Sequence, residues 1–335
     1  MNRKQHQHVE SGGGLFLVSL DFELYWGVRD VLTLSEYGLN ISGVQKAIPE
    51  ILKAFTIYDV HATWAVVGFL FFSGIEKLKK NCPNILPTYL NPIYSPYNYF
   101  AEASNLEEIY HFAPDLINEI GSHRGQEIAS HTFSHYYCLE KGQTGAQFGI
   151  DLEFAIQTAR NFGFPVQSLV FPRNQSNDEY LKILNNKGIL CYRGNEMSWL
   201  YQASQHNENK YIKRALRLFD SYVNLSGHNT YKIDLCTSRR PFNIPASRFL
   251  RPILKQPEIL NYLHLRRVKN AMKHAAERNE IFHLWWHPHN FGVNLRRNID
   301  GLVAILSYYK ELNYQFGMTS LNMGELAKIC HDGIE

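Results

Sequence analysis

The first long apolar run in the chain covers residues 15–20, with only Ser19 polar, and it stops abruptly at Asp21, Phe22 and Glu23. A run of this length without alternation reads as a strand buried on both faces. Period two sends residues 21 and 23 to one side and Phe22 to the other, so two acids converge at one end of a sheet. They are either a solvated strand end or one side of a cation site. After an expected loop over 25–40, a helix is predicted from Ser42, because Val44, Ala47, Ile48, Ile51, Leu52 and Phe55 share one face; Pro49 inside it is expected to kink it. Residues 61–69 read as a second strand, which completes a βαβ unit.

The alternation then breaks. Residues 73–113 carry Pro83, Pro87, Pro92 and Pro96 among Tyr89, Tyr94, Tyr97, Tyr99 and Phe100. This reads as a long insertion, either a lid or substrate wall or a segment packed on its own domain. Beyond it the repeat resumes, with a helix over 114–120 and a strand over 127–130 that delivers His131 and His135 in H-T-F-S-H. A helix over 144–161 buries Phe148, Leu152, Ala155 and Ile156. Residues 168–171 form a strand running into Pro172, Arg173, Asn174 and Gln175, followed by a helix over 178–186 and a strand over 188–192. Residues 193–252 are irregular. A helix over 257–278, a strand over 281–286 ending at His287, Pro288 and His289, and helices over 299–312 and 320–330 close the chain. The pattern implies one domain over 14–335, behind a flexible leader over 1–13.

Composition narrows the function classes. The chain has 335 residues, 45% hydrophobic and 19% charged, with a net charge of +3. That balance is ordinary for a globular protein and too mild to imply nucleic acid. The cysteines Cys82, Cys138, Cys191, Cys236 and Cys330 are scattered, without C-x-x-C spacing, so neither a disulfide framework nor a thiolate zinc site is expected. The polar N-terminus lacks a signal-peptide core, and no run reaches the roughly 18 apolar residues of a membrane span. A cytoplasmic protein without a transmembrane segment is expected; the oligomeric state stays open. His6 and His8 read as part of a frayed terminus. Arg239, Arg240, Arg248 and Arg251 read as a solvated or internally paired face.

Four predicted strands end in groups that chemistry can use: Asp21 with Glu23, His131 with His135, Arg173, and His287. In a closed parallel barrel all such ends open onto one face. The H-x-x-x-H pair is not the metalloprotease signature, because Thr132 stands where that motif has Glu. Two imidazoles and one carboxylate nonetheless make the three-ligand set that leaves a divalent metal an open position.

On these motifs the chain resembles the polysaccharide deacetylases, carbohydrate esterase family four. S-L-D-F-E matches the family's first motif in its D-x-[DE] form, H-T-F-S-H its second, F-P-R-N its third loosely, and L-W-W-H-P-H its last. The fourth motif has no clean counterpart, Glu196 being the nearest. The resemblance implies a distorted (β/α)7 barrel with insertions at about 73–113 and 193–252. It implies a metal-dependent hydrolase that removes N-acetyl groups from an amino sugar of a glycan or its precursor. Residue by residue it implies Asp21 as catalytic base, Glu23, His131 and His135 as ligands of one divalent ion, expected to be zinc, Arg173 as the residue holding the base, and His287 as general acid. Trp26, Asn174, Trp286 and Asn290, which flank these motifs, are the expected substrate contacts. Competing readings are a metal-free hydrolase of cyclic amides, as in allantoinase-like relatives, and a carbohydrate-binding protein without catalysis. A glycoside hydrolase is disfavoured, since acids two residues apart on one strand cannot easily flank a glycosidic bond.

Overall fold

The computed structural model describes residues 12–102, 106–201, 210–254 and 256–332; His6 and His8 lie outside them. Strand β1 (Leu15–Phe22) is buried along its whole length. It is followed by α1 (Leu34–Ser42), α2 (Val44–Tyr58) and β2 (Ala62–Val66). Helix α1 occupies part of the expected loop. Its start is encoded in T-L-S-E, where Thr33 and Glu36 form a capping box, a signal outweighed by the helix's weak apolar stripe. Helix α2 buries the six predicted positions and runs on through Pro49.

Between β2 and β3 (Gln126–Ser130) come the short helices α3 (Ile75–Lys80), α4 (Pro96–Glu102) and α5 (Glu108–His111), then α6 (Pro114–Ser122). Tyr97 and Phe100 are buried in the main core, so part of the aromatic content of this segment serves packing. The chain continues through α7 (Gly145–Asn161), β4 (Ser168–Val170), α8 (Asp178–Asn186) and β5 (Cys191–Arg193). It then passes α9 (Lys210–Asp220), α10 (Ile233–Thr237), β6 (Phe242–Asn243) and β7 (Arg248–Phe249). Last come α11 (Glu258–Arg278), β8 (Ile281–Trp286), α12 (Leu295–Phe316), β9 (Thr319–Leu321) and α13 (Met323–Asp332). Helix α12 is longer than the helix expected over 299–312, and β9 takes the start of the helix expected over 320–330.

The sheet order is β6-β5-β4-β3-β2-β1-β8-β7, with β9 beside β1, and every ladder is parallel. The strands at the two ends of this order are neighbours in the chain. Ile244 and Ala246 donate to Tyr192 and Gly194 on the β5 side, and Ser247 and Leu250 donate to His283 and Trp285 on the β8 side. One bent stretch thus bridges β5 and β8 and acts as the seventh stave of a distorted (β/α)7 barrel.

Parity divides each strand between interior and helix layer. Phe16, Val18, Leu20 and Phe22 join Trp64, Leu284, Trp286 and the helix faces in the main core. The opposite positions line the interior, apolar where Leu15, Leu17 and Ile281 cluster and polar elsewhere: Thr63 and Ser168 donate to Glu127, and His283 pairs with Ser19. Ser19 also accepts from Arg193, which pairs with Asp21, so hydrogen bonds lead from His283 up to the end of β1. Among the described residues no helix is long and apolar enough to cross a membrane.

Candidate metal centre and active site

At the carboxyl end of β1, Asp21 and Glu23 are both buried, which for two carboxylates requires charged or hydrogen-bonding partners. Asp21 has them in Arg193, the last residue of β5. Arg193 Nη1 lies 2.7 Å from Asp21 Oδ1 and Nη2 lies 2.7 Å from Oδ2, a two-pronged pairing that fixes the plane of the carboxylate. The same guanidinium donates to Ser19 Oγ at 3.0 Å and Asn174 Oδ1 at 2.8 Å, and it lies over the Trp285 ring at 4.2 Å. Burial pushes the Asp21 carboxyl up, but the Arg193 charge and hydrogen bonds, with His131 and His287 beside it, hold it below its ordinary value. Asp21 is therefore an ionised carboxylate with a fixed orientation. Beneath it, burial drives His283 down to about 3; a neutral His283 accepts from the Ser19 hydroxyl, freeing the Ser19 oxygen to accept from Arg193.

Arg173, expected to hold Asp21, does not reach it. Arg173 and Asn174 follow β4 in a tight turn with φ of 55° and 52°. This turn sends the Arg173 guanidinium outward to Asp30 and Glu140 and over the Tyr137 ring at 4.1 Å. Asn174 is the member of that turn that joins the centre, by accepting from Arg193.

Glu23 faces two histidines. Its Oε2 is 3.0 Å from His135 Nε2 and 3.3 Å from His131 Nε2, and the three residues, all buried, bring one ligand atom each within 4.8 Å of one another. His131 Nδ1 lies 2.8 Å from the carbonyl oxygen of Val170, which leaves Nε2 as the ring nitrogen facing Glu23. That buried Nε2, like His135 Nδ1, has no hydrogen-bond partner. A carboxylate and two imidazole nitrogens crowded together in the interior are what a divalent cation would satisfy, with the Val170 carbonyl supplying the outer contact that orients a ligating histidine. Burial lowers His135 against the pull of Glu23, which keeps it neutral and able to ligate. Glu23 is itself held well below its ordinary value: burial raises it, and His287, His131 and His135 together outweigh that.

Local backbone features hold this geometry. Thr132 and His135 have φ of 65° and 57°, and Leu24, after Glu23, 48°. Non-glycine residues in the left-handed region gather here at two strand ends, after β1 and β3, where strain is sustained by surrounding contacts. The H-T-F-S-H turn is tethered from α7: Asp151 accepts from the Phe133 amide at 2.8 Å, and from the Ser134 amide and hydroxyl. Gly27 lies flat against Glu23, since a Cβ there would fall 1.9 Å from the Glu23 carboxyl carbon. Neither Asp151 nor Gly27 carries a motif of its own, so spacing did not single them out.

His287 follows β8. The ladder pairs Leu20 with Trp286, and its next step sets His287 beside Asp21. His287 Nε2 lies 3.8 Å from Asp21 Oδ2 and 3.6 Å from Glu23 Oε1, with a quarter of its side chain (24%) open to solvent. His289 is buried and stacks on it, ring centres 4.9 Å apart. Burial, then the His287 charge, brings His289 down to about 3, so His289 backs the exposed ring as a neutral neighbour. The Asn290 amide donates to Tyr37 while its oxygen accepts from the His287 amide.

Two expected substrate contacts are core residues instead. Trp26 is fully buried and donates to the His111 carbonyl oxygen at 2.7 Å; Trp286 is fully buried and stacks on Phe291. Parity explains the second case: with His287 facing the mouth, Trp285 shares its side and Trp286 faces the helices. Trp285 is therefore an aromatic at the site, packed against Arg193 and edge-on to His287. Glu196 is buried close to it, raised by burial against the charges of Arg248 and Arg193.

No family model and no curated protein matches the sequence. Among solved structures, a putative polysaccharide deacetylase from Mycobacterium smegmatis aligns at TM-score 0.58 and 13% identity, over 96% of this chain and 92% of that one. A probable polysaccharide deacetylase from Pseudomonas aeruginosa PAO1 aligns at TM-score 0.56 and 11% identity, over 96% and 92%. Puue allantoinase aligns at TM-score 0.53 and 12% identity, over 96% and 91%. At these identities the likeness establishes the fold, which is that of the polysaccharide deacetylases.

Proposed function

We propose that the protein is a metal-dependent deacetylase that hydrolyses the N-acetyl group of an amino sugar in a glycan or glycan precursor. The observation that carries this reading is the buried Glu23, His131 and His135 cluster lying beside an ionised, arginine-clamped Asp21 and a solvent-accessible His287. A carboxylate base and a histidine beside one metal position are the parts that amide hydrolysis needs.

Glu23, His131 and His135 would hold one divalent ion, for which zinc suits the one-carboxylate, two-imidazole donor set. When bound, that ion supplies Lewis acidity, polarising the acetyl carbonyl and acidifying water. Asp21 takes the proton of the attacking water, and Arg193 keeps its carboxylate ionised and aimed. His287 delivers a proton to the departing sugar nitrogen, which leaves as the amine while acetate remains; water is added across the C–N bond. Trp285 and Asn290 flank the mouth as substrate contacts, and Asn174 acts through Arg193. The fold is shared with an allantoinase, so it does not itself choose between linear and cyclic amides. The crowded ligand set favours a metal-dependent reaction over a metal-free one.

The test separates binding from turnover. His135→Ala is expected to abolish stoichiometric metal by elemental analysis. Asp21→Asn is expected to keep the metal and lose acetate release from N-acetylated oligosaccharides. Metal retained at full stoichiometry in His135→Ala contradicts the ligand set.

A further inference from the structure

Helix α9 is inverted with respect to the protein that carries it. On a 3.6-residue period Ile212, Ala215, Leu218 and Phe219 share one side, and that side faces solvent: Ile212 is 60% exposed and Phe219 51%. The opposite side, which faces the protein, is polar. Asp220 is fully buried and pairs with Arg248, and Arg217 donates to the Leu200 carbonyl oxygen and lies over Tyr201. Burying the charged side and exposing the apolar one is the reverse of what an ordinary surface helix does. Outside the helix, Trp199 is 60% exposed, and Val223 and Leu225 are exposed as well. Scattered apolar residues need no explanation, whereas a contiguous patch on an inverted helix calls for an occupant.

Charge identifies the occupant. The helix carries Lys210, Lys213, Arg214 and Arg217 against the single acid Asp220, and that acid is already neutralised by Arg248. Arg214 is exposed at the edge of the apolar stripe. A second copy docking through a two-fold axis would bring this cationic helix against itself, which is unfavourable. An apolar stripe bordered by cations fits a surface with an apolar interior and anionic headgroups. We propose that α9, with Trp199 and the turn through Leu225, is an interfacial anchor that seats the protein on an anionic lipid surface. Trp199 stands six residues after Arg193, so the anchor begins at most about 20 Å of chain from the clamp on Asp21. This inference is independent of the reaction at the metal centre.

Co-sedimentation of the full-length protein with phosphatidylcholine vesicles, with and without phosphatidylglycerol, tests it. Binding is expected to the anionic vesicles and to weaken at high salt. The double variant Ile212→Gln, Phe219→Gln is expected to lower the bound-to-free ratio by roughly tenfold or more. Arg214→Glu, at an exposed position that no core contact depends on, is expected to weaken binding severalfold while leaving the thermal transition unchanged. No binding of the wild type to anionic vesicles, or equal binding by all three proteins, overturns the proposal. So does a wild-type dimer in light scattering that the double variant converts to monomer, since that result gives the face to a second copy.

Discussion

The reading of the active site turns on which arginine touches Asp21. Arg193 contributes two parallel charge-assisted bonds to a buried carboxylate, and an arginine beside an aspartate lowers its pKa by about 1 to 3 units. The acidic limb of the kcat/KM profile should therefore move up by about that amount in Arg193→Met and return part of the way in Arg193→Lys. Arg173→Met should leave the limb in place. A profile moved by Arg173 and indifferent to Arg193 would reassign the clamp. For His287, loss of a proton donor predicts a fall in kcat of roughly 10² to 10⁴-fold in His287→Ala, with metal content unchanged. If the metal is lost with it, His287 is a ligand and not the acid. Gly27 offers a test that touches no ligand: Gly27→Ala must displace the Glu23 carboxyl group, so metal affinity should fall while the circular dichroism spectrum stays native.

At the scale of elements, strand ends were legible because a buried strand stopping at charged or imidazole groups is improbable without a use for them. That logic placed Asp21, Glu23, His131, His135 and His287 together. It failed for Arg173 because the sequence does not show that the turn after Phe171 runs through left-handed backbone, which throws the arginine outward. Arg193 was available to the same logic, since Cys191 and Arg193 share a side and an arginine ends the strand. It lies one residue past Tyr192, where the sequence pattern ends the strand. Trp286 falls on the helix-facing side of β8 by parity, and Trp26 stands near Glu23 in sequence while its ring turns into the core. What spacing cannot reveal is support from a distant element, and Asp151 is the example. Asp151→Ala removes three acceptor contacts to the turn between the two histidines, and the orphaned amides of Phe133 and Ser134 have no other described side-chain partner. Metal affinity should drop by about 10 to 100-fold, as for other outer contacts of metal sites; isothermal titration of the variant with zinc checks it.

For the molecule as a whole, the barrel is closed at its amino-terminal end by α13, and a titratable pair ties that helix to β2. His61 Nδ1 lies 2.7 Å from Glu325 Oε2. The hydrogen bond to Glu325 raises His61 above its ordinary value of 6.5, against the effect of burial. A histidine raised on folding binds its proton more tightly in the native state. Its contribution to stability is complete below pH 6.5 and is lost as pH rises through the folded value. Urea unfolding should show this decline in the wild type and a flatter profile in Glu325→Gln. Equal slopes would mean that the pair is not coupled to folding. The central claim concerns the other end of the barrel, where Glu23, His131 and His135 would make hydrolysis depend on a single ion. Its most direct test is a titration of metal-stripped protein with zinc while acetate release from an N-acetylated oligosaccharide is followed. The rate should rise in proportion to added zinc and level off at one equivalent per chain. Acetate release that is already maximal in the stripped protein, or that stays absent at every zinc level across a panel of N-acetylated glycans, would contradict the account.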